Sequence, residues 1–473
     1  MDDQKADIMG AMQPELHIET LQALTDPSGA FREVAGMGCA FLDGRGGAPS
    51  LARYSFLCAE PLATLETRGV SLLFVEGKPR MTAESPFEAI RSLLKTYQVP
   101  PQPTPFPFVG GAIGYLGYDL GQHIERLPRR AVDDLGLPDL WLGVYDCCLV
   151  YDATEAVVRL VRWSGLPGQD AARAAQRVER LRRAAGSTAQ PPTSAFQASV
   201  QMRSSFAQET YLAAVRRAKE HIAAGDIYQV NLSQRLSLRT RVPSPELFLL
   251  ASEASPAPFS AYLDPGPFQV LSTSPERFLR VDGRRVETRP IKGTRPRGQN
   301  AEEDARLAAE LLASEKDAAE LAMIVDLERN DLGRVCEYGT VRVARARELE
   351  SFPNVHHLVA TVEGTMRERC DVVDLLVATF PGGSITGCPK IRAMEIIDEL
   401  EPVRRGVYTG AIGYFGMDGR MDLSIAIRNA VVMDGIAHVS VGGAIVADSD
   451  PEAEYRETWA KARGWLDVLG VQE

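Results

Sequence analysis

A single lysine stands in a strongly basic stretch near the middle of the chain. Lys292 lies within the segment Pro-Ile-Lys-Gly-Thr, and Arg289, Arg295 and Arg297 lie close to it in sequence. Neighbouring cations and burial both disfavour a charged ammonium, so they lower a lysine pKa and free its lone pair for attack. The same arginines can hold an anionic substrate. Two interpretations remain open at this point, a nucleophile or an ordinary solvated lysine in a basic turn.

Two predicted helices carry acidic residues spaced three positions apart. Asp317 and Glu320 lie on one helix, and Glu454 and Glu457 lie on the last helix of the chain. This spacing places each pair on one helix face. Two such faces meeting across a cleft offer hard oxygen ligands that suit Mg²⁺ and its retained waters. Solvated helix faces show the same pattern, so the metal site is a hypothesis.

Two further side chains have acid–base chemistry. Glu276 stands between a proline and the pair Arg277-Phe278. Apolar surroundings would raise its pKa and let it act as an acid, whereas pairing with Arg277 is the structural alternative. His356 and His357 precede an apolar strand, and alternation would send one of them inward. An inward histidine is either a core residue or an acid–base group.

The glycine-rich segment 380–390 does not bind nucleotide phosphates as a P-loop does, because Cys388 stands where that motif requires lysine. The loop opens a helix near Pro389, and backbone N–H groups at such a position can bind a carboxylate. Gly442 and Gly443, at a strand end, offer a second backbone site, although glycines there are usually structural.

The elements that must position these residues alternate without a strict period. The predicted helices include residues 208–224, 300–327, 372–380, 389–399 and 452–469, with short strands between them. This order favours an α+β fold over a doubly wound sheet. We expect a large mixed or antiparallel β-sandwich core flanked by helices.

A Gly-, Ser-, Thr- and Pro-rich stretch at residues 186–194 is the clearest linker in the sequence. It places the main boundary within residues 186–205. We therefore expect two regions, an N-terminal region of residues 1–190 and a catalytic domain of residues 206–466 that holds the candidate residues described above.

Composition narrows the range of partners and compartments. A net charge of −11 argues against a nucleic-acid partner. No apolar run reaches the length of a membrane helix, and the acidic start does not resemble a signal peptide. The seven cysteines are scattered without a Cys-x-x-Cys pair. We expect reduced thiols, no membrane association and a cytoplasmic protein.

Several segments together resemble the chorismate-utilising enzymes, the family that includes anthranilate synthase component I and aminodeoxychorismate synthase component I. They are residues 225–235, 274–278, 290–298, 323–332, 380–402, 425–428 and 445–461. The N-terminal half is similar more loosely, through residues 53–56 and 110–119. The resemblance implies an anthranilate synthase component I-like fold and chorismate as the substrate.

The resemblance also implies a mechanism. Lys292 attacks C2 of chorismate and expels the C4 hydroxyl, with Glu276 as the general acid and His357 as the matching active-site histidine. Ammonia then adds at C4 and expels the lysine, which turns one difficult substitution into two easier ones.

Ligands for the substrate and for Mg²⁺ follow from the same resemblance. Glu320 and Glu457 match residues that hold the ion, with Asp317 and Glu454 in the surrounding shell. The residues matching those that hold substrate oxygens are Thr386, Tyr408, Arg428, Gly442, Gly443 and Lys461.

Lys292 separates two branches of the family. Anthranilate synthases resemble Pro-Ile-Ala-Gly-Thr at this position, and aminodeoxychorismate synthases resemble the Pro-Ile-Lys-Gly-Thr found here. The resemblance therefore favours the second branch, with anthranilate synthase as the alternative. An isochorismate- or salicylate-forming enzyme is a weaker option. A non-catalytic regulator would be expected to lack the nucleophile, acid and carboxylates.

Two partners are implied. No segment resembles a glutamine amidotransferase, so ammonia is expected from solution or from a separate glutaminase subunit. Many relatives carry a tryptophan pocket, and here Leu42, Asp43, Ser55 and Pro256 are the candidate lining residues. The segments around Asp43 and Pro256 depart from the pattern of feedback-inhibited relatives. The resemblance implies a pocket that is empty or holds a structural tryptophan.

Overall fold

The computed structural model describes residues 13–21, 26–47, 51–83, 85–192 and 202–471. Its strands are β1 (Glu15–Thr20), β2 (Ala40–Asp43), β3 (Tyr54–Cys58), β4 (Ala63–Arg68), β5 (Val70–Val75), β6 (Lys78–Ala83), β7 (Gly111–Leu116), β8 (Leu140–Tyr145), β9 (Cys147–Asp152), β10 (Val157–Ser164), β11 (Met202–Ser204), β12 (Gln229–Arg239), β13 (Phe259–Leu263), β14 (Gln269–Ser274), β15 (Arg277–Asp282), β16 (Arg285–Arg289), β17 (Ile291–Pro296), β18 (Arg342–Ser351), β19 (Val355–Thr365), β20 (Gly387–Cys388), β21 (Ala411–Gly416), β22 (Met421–Ile425), β23 (Asn429–Met433) and β24 (Ile436–Ile445).

The α-helices are α1 (Ser28–Val34), α2 (Pro86–Thr96), α3 (Ala171–Ala185), α4 (Gln208–Ala223), α5 (Ser244–Ala254), α6 (Ala301–Ala313), α7 (Glu315–Gly333), α8 (Val372–Thr379), α9 (Lys390–Leu400) and α10 (Pro451–Val468). Two 3₁₀ helices, Tyr118–His123 and Gly383–Ile385, complete the set described here. None of these described helices is both long enough and apolar enough to span a membrane.

The strands form two 12-stranded sheets with antiparallel pairing throughout their ladders. The first has the order β1-β10-β9-β3-β2-β13-β14-β23-β24-β12-β11, with β20 also paired to β12. The second has the order β17-β19-β16-β15-β22-β21-β7-β8-β4-β5-β6, with β18 also paired to β19. The expected α+β fold with a large antiparallel core is confirmed.

The main core lies between the two sheets. Phe56 of the first sheet contacts Tyr414 of the second, with ring centroids 6.0 Å apart. Tyr115 and Phe268 meet in the same way across the layers, at 6.2 Å. β8 and β9 are buried along their whole length. Their sequences are apolar nearly without interruption, as expected for strands that are covered on both faces.

A second core lies on the outer side of the first sheet, beneath α1, α3, α5 and α10. Four rings meet there: Phe31 contacts Phe41 and Tyr262 at 5.0 Å and Phe248 at 5.6 Å. Aromatic pairs at these separations add to the free energy gained by burial. This core fixes α10 against the sheet that carries β24.

The predicted single helix over 300–327 is wrong: α6 ends at Ala313 and α7 begins at Glu315. Ser314 separates them with a non-helical backbone, and its hydroxyl accepts a hydrogen bond from the Asp317 N–H. A serine that caps a helix start competes with continuation of the preceding helix. The new start places the Asp317–Glu320 face in the first turns of α7.

The two predicted regions contribute strands to both sheets. β2 pairs with β13 and β7 pairs with β21, so each sheet joins strands from before and after the linker. Residues 193–201 of that linker lie outside the described part. The boundary predicted within residues 186–205 therefore separates two stretches of sequence, but each sheet contains strands from both stretches.

We expect a fragment of residues 202–473 expressed alone to lack cooperative folding, because β13 loses its pairing with β2 and β21 loses its pairing with β7. Unpaired edges and an uncovered core face promote aggregation. Circular dichroism melting of this fragment, compared with the full chain, measures the effect.

Co-expression with residues 1–192 is the control and should recover a folded complex. A fragment 202–473 that melts cooperatively near the temperature of the full chain would contradict the expectation.

Candidate active site

Lys292 lies on β17, and a bulge turns the backbone directly after it. Residue 292 pairs with Leu358 of β19, and the register shifts before Thr294 pairs with His357. Gly293 has a φ of +78° at the bulge, and a Cβ there would lie 2.8 Å from Leu311 and 2.9 Å from Asp317. Glycine is required because of both the conformation and the close packing.

Burial, rather than the neighbouring arginines, sets the state of this lysine. The surrounding protein desolvates Lys292 and lowers its pKa, while the charges of Glu320, Glu276 and Glu457 oppose that shift. The arginines near it in sequence are engaged elsewhere: Arg289 with Glu350, Arg295 with Glu310, and Arg297 with Asp304. The expected role of those arginines beside Lys292 is therefore wrong, since each is paired with an acid.

Glu276 is buried, with 4% of its surface exposed. Burial raises its pKa to about 7, although the Ser384 hydroxyl, the charge of Lys292 and the Ile291 N–H act in the opposite direction. Arg277 does not neutralise it, because its guanidinium binds Asp422 and Glu287. Glu276 is thus a carboxyl poised between its two protonation states next to the amine, as a general acid requires.

Glu320 of α7 and Glu457 of α10 approach Lys292 from two different helices, because both carboxylates act on its pKa. Glu457 is bound by Lys461 at 2.7 Å. The nearer oxygen of Glu454 lies 3.3 Å from the position of a Cβ on Gly443. Glu454, Glu457 and Glu320 therefore border one cleft that contains the lysine.

Asp317 occupies a different position from the other three carboxylates. Its side chain packs beneath Gly293 and lies 3.4 Å from an Arg295 nitrogen. It supports the bulge after Lys292.

This donor set fits Mg²⁺ only with help from a substrate or water. Within residues 13–21, 26–47, 51–83, 85–192 and 202–471, no three His, Cys, Asp or Glu side chains lie close enough to hold a metal by themselves. Mg²⁺ commonly takes one or two protein carboxylates and fills its remaining positions with water and substrate oxygens. Glu320 and Glu457 meet that requirement.

Arg428 is free to bind an anion. No described residue forms an ion pair or hydrogen bond with its guanidinium, and desolvation lowers its pKa. Its backbone is held in the left-handed region, with φ +53°, while its carbonyl accepts a hydrogen bond from the Thr273 N–H. A half-buried guanidinium without a carboxylate partner favours an anionic ligand.

Tyr408 and the paired glycines lie together. A Cβ on Gly442 would come within 3.1 Å of the Tyr408 hydroxyl, and Lys461 donates a hydrogen bond to the Gly442 carbonyl at 3.0 Å. Burial raises the Tyr408 pKa, so its phenol stays neutral and can donate. The Thr386 hydroxyl donates to the Gly382 carbonyl at 3.0 Å and so holds the glycine-rich loop closed.

Both histidines are buried, one on each face of β19, whereas alternation predicted that only one of them would be. Burial and the charge of Arg428 lower the pKa of His357 to about 4, so its ring is neutral at physiological pH. Its Nδ1 lies 3.0 Å from the Thr294 hydroxyl. His356 contacts Ser351 and Asp304 instead. The position of His357 supports the segment that follows Lys292.

Sequence reasoning assigned no role to two polar groups near this site. The Ser384 hydroxyl acts on the Glu276 carboxyl, whereas both amide atoms of Gln229 are buried and have no hydrogen-bond partner among the residues that the structure describes. Gln229 shares its strand face with Asn231, whose amide donates to the Ser384 carbonyl at 2.8 Å. Unpartnered buried groups are rare and indicate a ligand or water. The alternation of side chains along β12 was the sequence signal that could have placed Gln229 on the same face as Asn231.

A cavity of about 740 Å³ lies between the two sheets, away from Lys292. Leu42 and Asp43 line it, together with Phe259 and Tyr414, whereas Pro256 lines a different surface cavity. The Ser55 hydroxyl donates to Asp43 at 3.0 Å. Of the four candidate residues for a tryptophan pocket, two face this cavity directly and Ser55 acts through Asp43.

The sequence matches the profile of the chorismate binding enzyme family over residues 42–467. It is 47% identical to anthranilate synthase component 1 of Thermus thermophilus, over 78% of this chain and 79% of that protein. It is 42% identical to aminodeoxychorismate synthase component 1 of Escherichia coli, over 88% and 90%. The crystal structure of anthranilate synthase component I from Streptococcus pneumoniae superposes with a TM-score of 0.78 at 32% identity, covering 88% of this chain and 92% of that one.

The raised pKa of Glu276 predicts a change in stability with pH. Its folded-state pKa, about 7, lies above the ordinary value of 4.5, so its ionisation destabilises the folded protein progressively between those values. At most about 3 kcal/mol of the free energy of unfolding is lost once the pH exceeds the folded-state pKa. We expect Glu276→Gln to be more stable than the wild type by about 2 kcal/mol near pH 8. The difference should shrink toward zero as the pH falls to 4.5.

Urea unfolding at both pH values measures the difference in free energy of unfolding. Glu315→Gln, at an exposed position of α7, is the matched control and should show no such pH-dependent gain. A Glu276→Gln variant that is less stable than the wild type at the higher pH would show that the carboxylate is stabilised by its site.

Proposed function

Because the chain belongs to the chorismate-binding enzyme family, we propose that it is the large component of an aminodeoxychorismate synthase. It converts chorismate and ammonia to 4-amino-4-deoxychorismate, from which a lyase releases 4-aminobenzoate for folate biosynthesis. The observation that carries this proposal is Lys292, an amine with a lowered pKa next to the carboxyl of Glu276. Similar proteins bear both family names, so the residue at this position decides between them.

In the first step the neutral amine of Lys292 attacks C2 of chorismate. The ring double bonds shift, the bond from C4 to its oxygen breaks, and the proton of Glu276 goes to the departing hydroxide, which leaves as water. A pKa of about 7 for Glu276 keeps a large share of this carboxyl protonated near neutrality and makes the proton easy to transfer. Desolvation of Lys292 increases the share of free amine.

In the second step ammonia adds at C4 and the bond between C2 and the lysine nitrogen breaks. Lys292 departs as a neutral amine, and the extra proton on the incoming nitrogen returns to the Glu276 carboxylate. Both groups end in their starting states, and the net reaction exchanges ammonia for water. The unpartnered Gln229 amide is suited to hold a small neutral nucleophile.

The surrounding residues hold the substrate. Arg428, which lacks an acidic partner in the described chain, binds a carboxylate, and the neutral phenol of Tyr408 donates to a substrate oxygen. Lys461, Thr386 and the backbone of Gly442 and Gly443 complete the pocket. His357 keeps the segment after Lys292 in place through Thr294.

Glu320 and Glu457 would hold Mg²⁺, with Glu454 beside them and Asp317 beneath the Lys292 bulge. When bound, the ion neutralises a substrate carboxylate and stabilises the charge that develops during substitution. Solvent-accessible Glu457 and Lys461 lie at the open side of the cleft, where an ion and a substrate can enter together.

Ammonia comes from a separate glutaminase subunit. The similar proteins are named as component 1, and the printed sequence contains no segment resembling a glutamine amidotransferase. The isolated chain should accordingly use ammonium salts and fail to use glutamine.

The alternative is anthranilate synthase, which the 47% identity to the Thermus thermophilus enzyme favours. In that case the substitution occurs without a lysine adduct, and anthranilate appears directly. The nature of the product separates the two functions.

We expect purified protein with chorismate, Mg²⁺ and an ammonium salt at mildly alkaline pH to form an amino product that becomes 4-aminobenzoate only after a lyase is added. Without ammonia, intact mass spectrometry should detect an adduct of chorismate minus one water on Lys292. Lys292→Ala should abolish the adduct and lower the amination rate by about 100-fold or more.

Lys95→Ala, on the exposed face of α2, is the matched control and should behave as the wild type. Fluorescent anthranilate without added lyase would establish the alternative function instead.

Tryptophan is not expected to regulate the enzyme. Arg45 binds Asp43 through two nitrogens at 2.8 Å, and Ser55 also donates to this carboxylate, so Asp43 is not available for the ammonium of a ligand. We expect no inhibition by micromolar tryptophan in the amination assay and no heat of binding in calorimetry. Inhibition in that range would contradict this, whereas tryptophan released only on denaturation would identify a structural ligand.

A further inference from the structure

The loop that joins β24 to α10 is fastened to one carboxylate of the cleft. The Ser449 hydroxyl donates to Glu454 Oε1 at 2.6 Å, and both residues are buried. The same hydroxyl accepts a hydrogen bond from the Val446 N–H at 3.1 Å. Because a hydroxyl has one hydrogen and the backbone N–H can only donate, the Ser449 hydrogen points to Glu454.

A lysine from another helix holds this loop from the outside. Lys219 of α4 donates to the Ser449 carbonyl at 2.6 Å. α4 packs directly on α10, where the rings of Tyr211 and Tyr455 lie 5.5 Å apart. The loop is therefore fixed between its own helix and α4.

Glu454 differs from its neighbours in the kind of partner it has. Glu457 is paired with Lys461 at 2.7 Å and Glu320 lies 3.9 Å from Lys316. Glu454 has no cation within ion-pair distance in the part of the chain that the structure covers, and its bound partner is the neutral Ser449 hydroxyl. A neutral donor fixes the carboxylate without cancelling its charge.

One oxygen of Glu454 thus accepts the hydrogen bond from Ser449, and the other is directed at the cleft. Oε2 lies 3.3 Å from the position of a Cβ on Gly443, so the absence of a side chain there leaves room beside it. Outer partners of this kind orient metal-binding carboxylates and tune their affinity.

We propose that Ser449 and Lys219 are positioning residues that orient Glu454 for the divalent cation, Ser449 directly and Lys219 through the loop. The inference rests on the proposed function, since the cation is the one assigned there. Glu454 would then be oriented by the Ser449 hydrogen bond and by Lys219, both of which lie outside the substrate pocket.

The test measures Mg²⁺ binding directly, by titration calorimetry with magnesium chloride and by electron paramagnetic resonance with Mn²⁺ as the probe. We expect Ser449→Ala to weaken binding by about 10-fold. Ser449→Thr, which keeps the hydroxyl, should bind within about 3-fold of the wild type, and Lys219→Met should weaken binding by a smaller factor than Ser449→Ala. At saturating Mg²⁺ the KM for chorismate should stay unchanged.

Ser71→Ala is the matched control, because it removes a buried hydroxyl that bonds Thr67 at 2.9 Å in the second sheet. It should leave Mg²⁺ affinity unchanged while lowering thermal stability. Lys219→Met, at a half-buried position, keeps the test decisive if Ser449→Ala does not fold.

Equal Mg²⁺ affinity in the wild type, Ser449→Ala and Lys219→Met would overturn the inference. If the wild type still aminated chorismate, the proposed function would stand without it. A wild-type protein that binds no Mg²⁺ also overturns the inference, and the amination assay then reports separately on the proposed function.

Discussion

The site depends on the removal of water from two opposite kinds of ionisable group placed side by side. Desolvation alone favours the neutral form of both, which lowers the pKa of Lys292 and raises that of Glu276 to about 7. The mutual attraction of their charges works against this but does not reverse it. A neutral amine beside a protonated carboxyl is the pairing that a nucleophile and a general acid need.

The fold supplies this environment by joining distant segments. β17 brings Lys292 to the edge of the second sheet, Glu276 lies between β14 of the first sheet and β15 of the second, and α7 and α10 bring in the carboxylates. The bulge at Gly293 turns the chain after Lys292, and His357 and Asp317 pack around that turn. The two sheets that carry these elements are shared between the two halves of the sequence.

Much of this arrangement was predictable, because local sequence encodes it. The i, i+3 spacing of the carboxylates and the α+β class follow from periodicity and element order, and the family motifs identify Lys292. The partners of the arginines were not predictable: Arg289, Arg295 and Arg297 are near Lys292 in sequence, yet distant acids bind them. The break at Ser314 was also missed, because the helix periodicity continues across it while a single cap decides the boundary.

The difference between residues that form the scaffold and residues that carry the chemistry explains why overall similarity does not assign the reaction. The chain is 47% identical to a protein named for one branch and 42% identical to a protein named for the other, so identity over the whole scaffold does not separate the two reactions. The amine of Lys292 is a different case, because desolvation lowers its pKa although three nearby carboxylates act in the opposite direction. Holding an amine in a desolvated position costs folding free energy, so Lys292 supports the proposed reaction more specifically than the identity of the surrounding scaffold does.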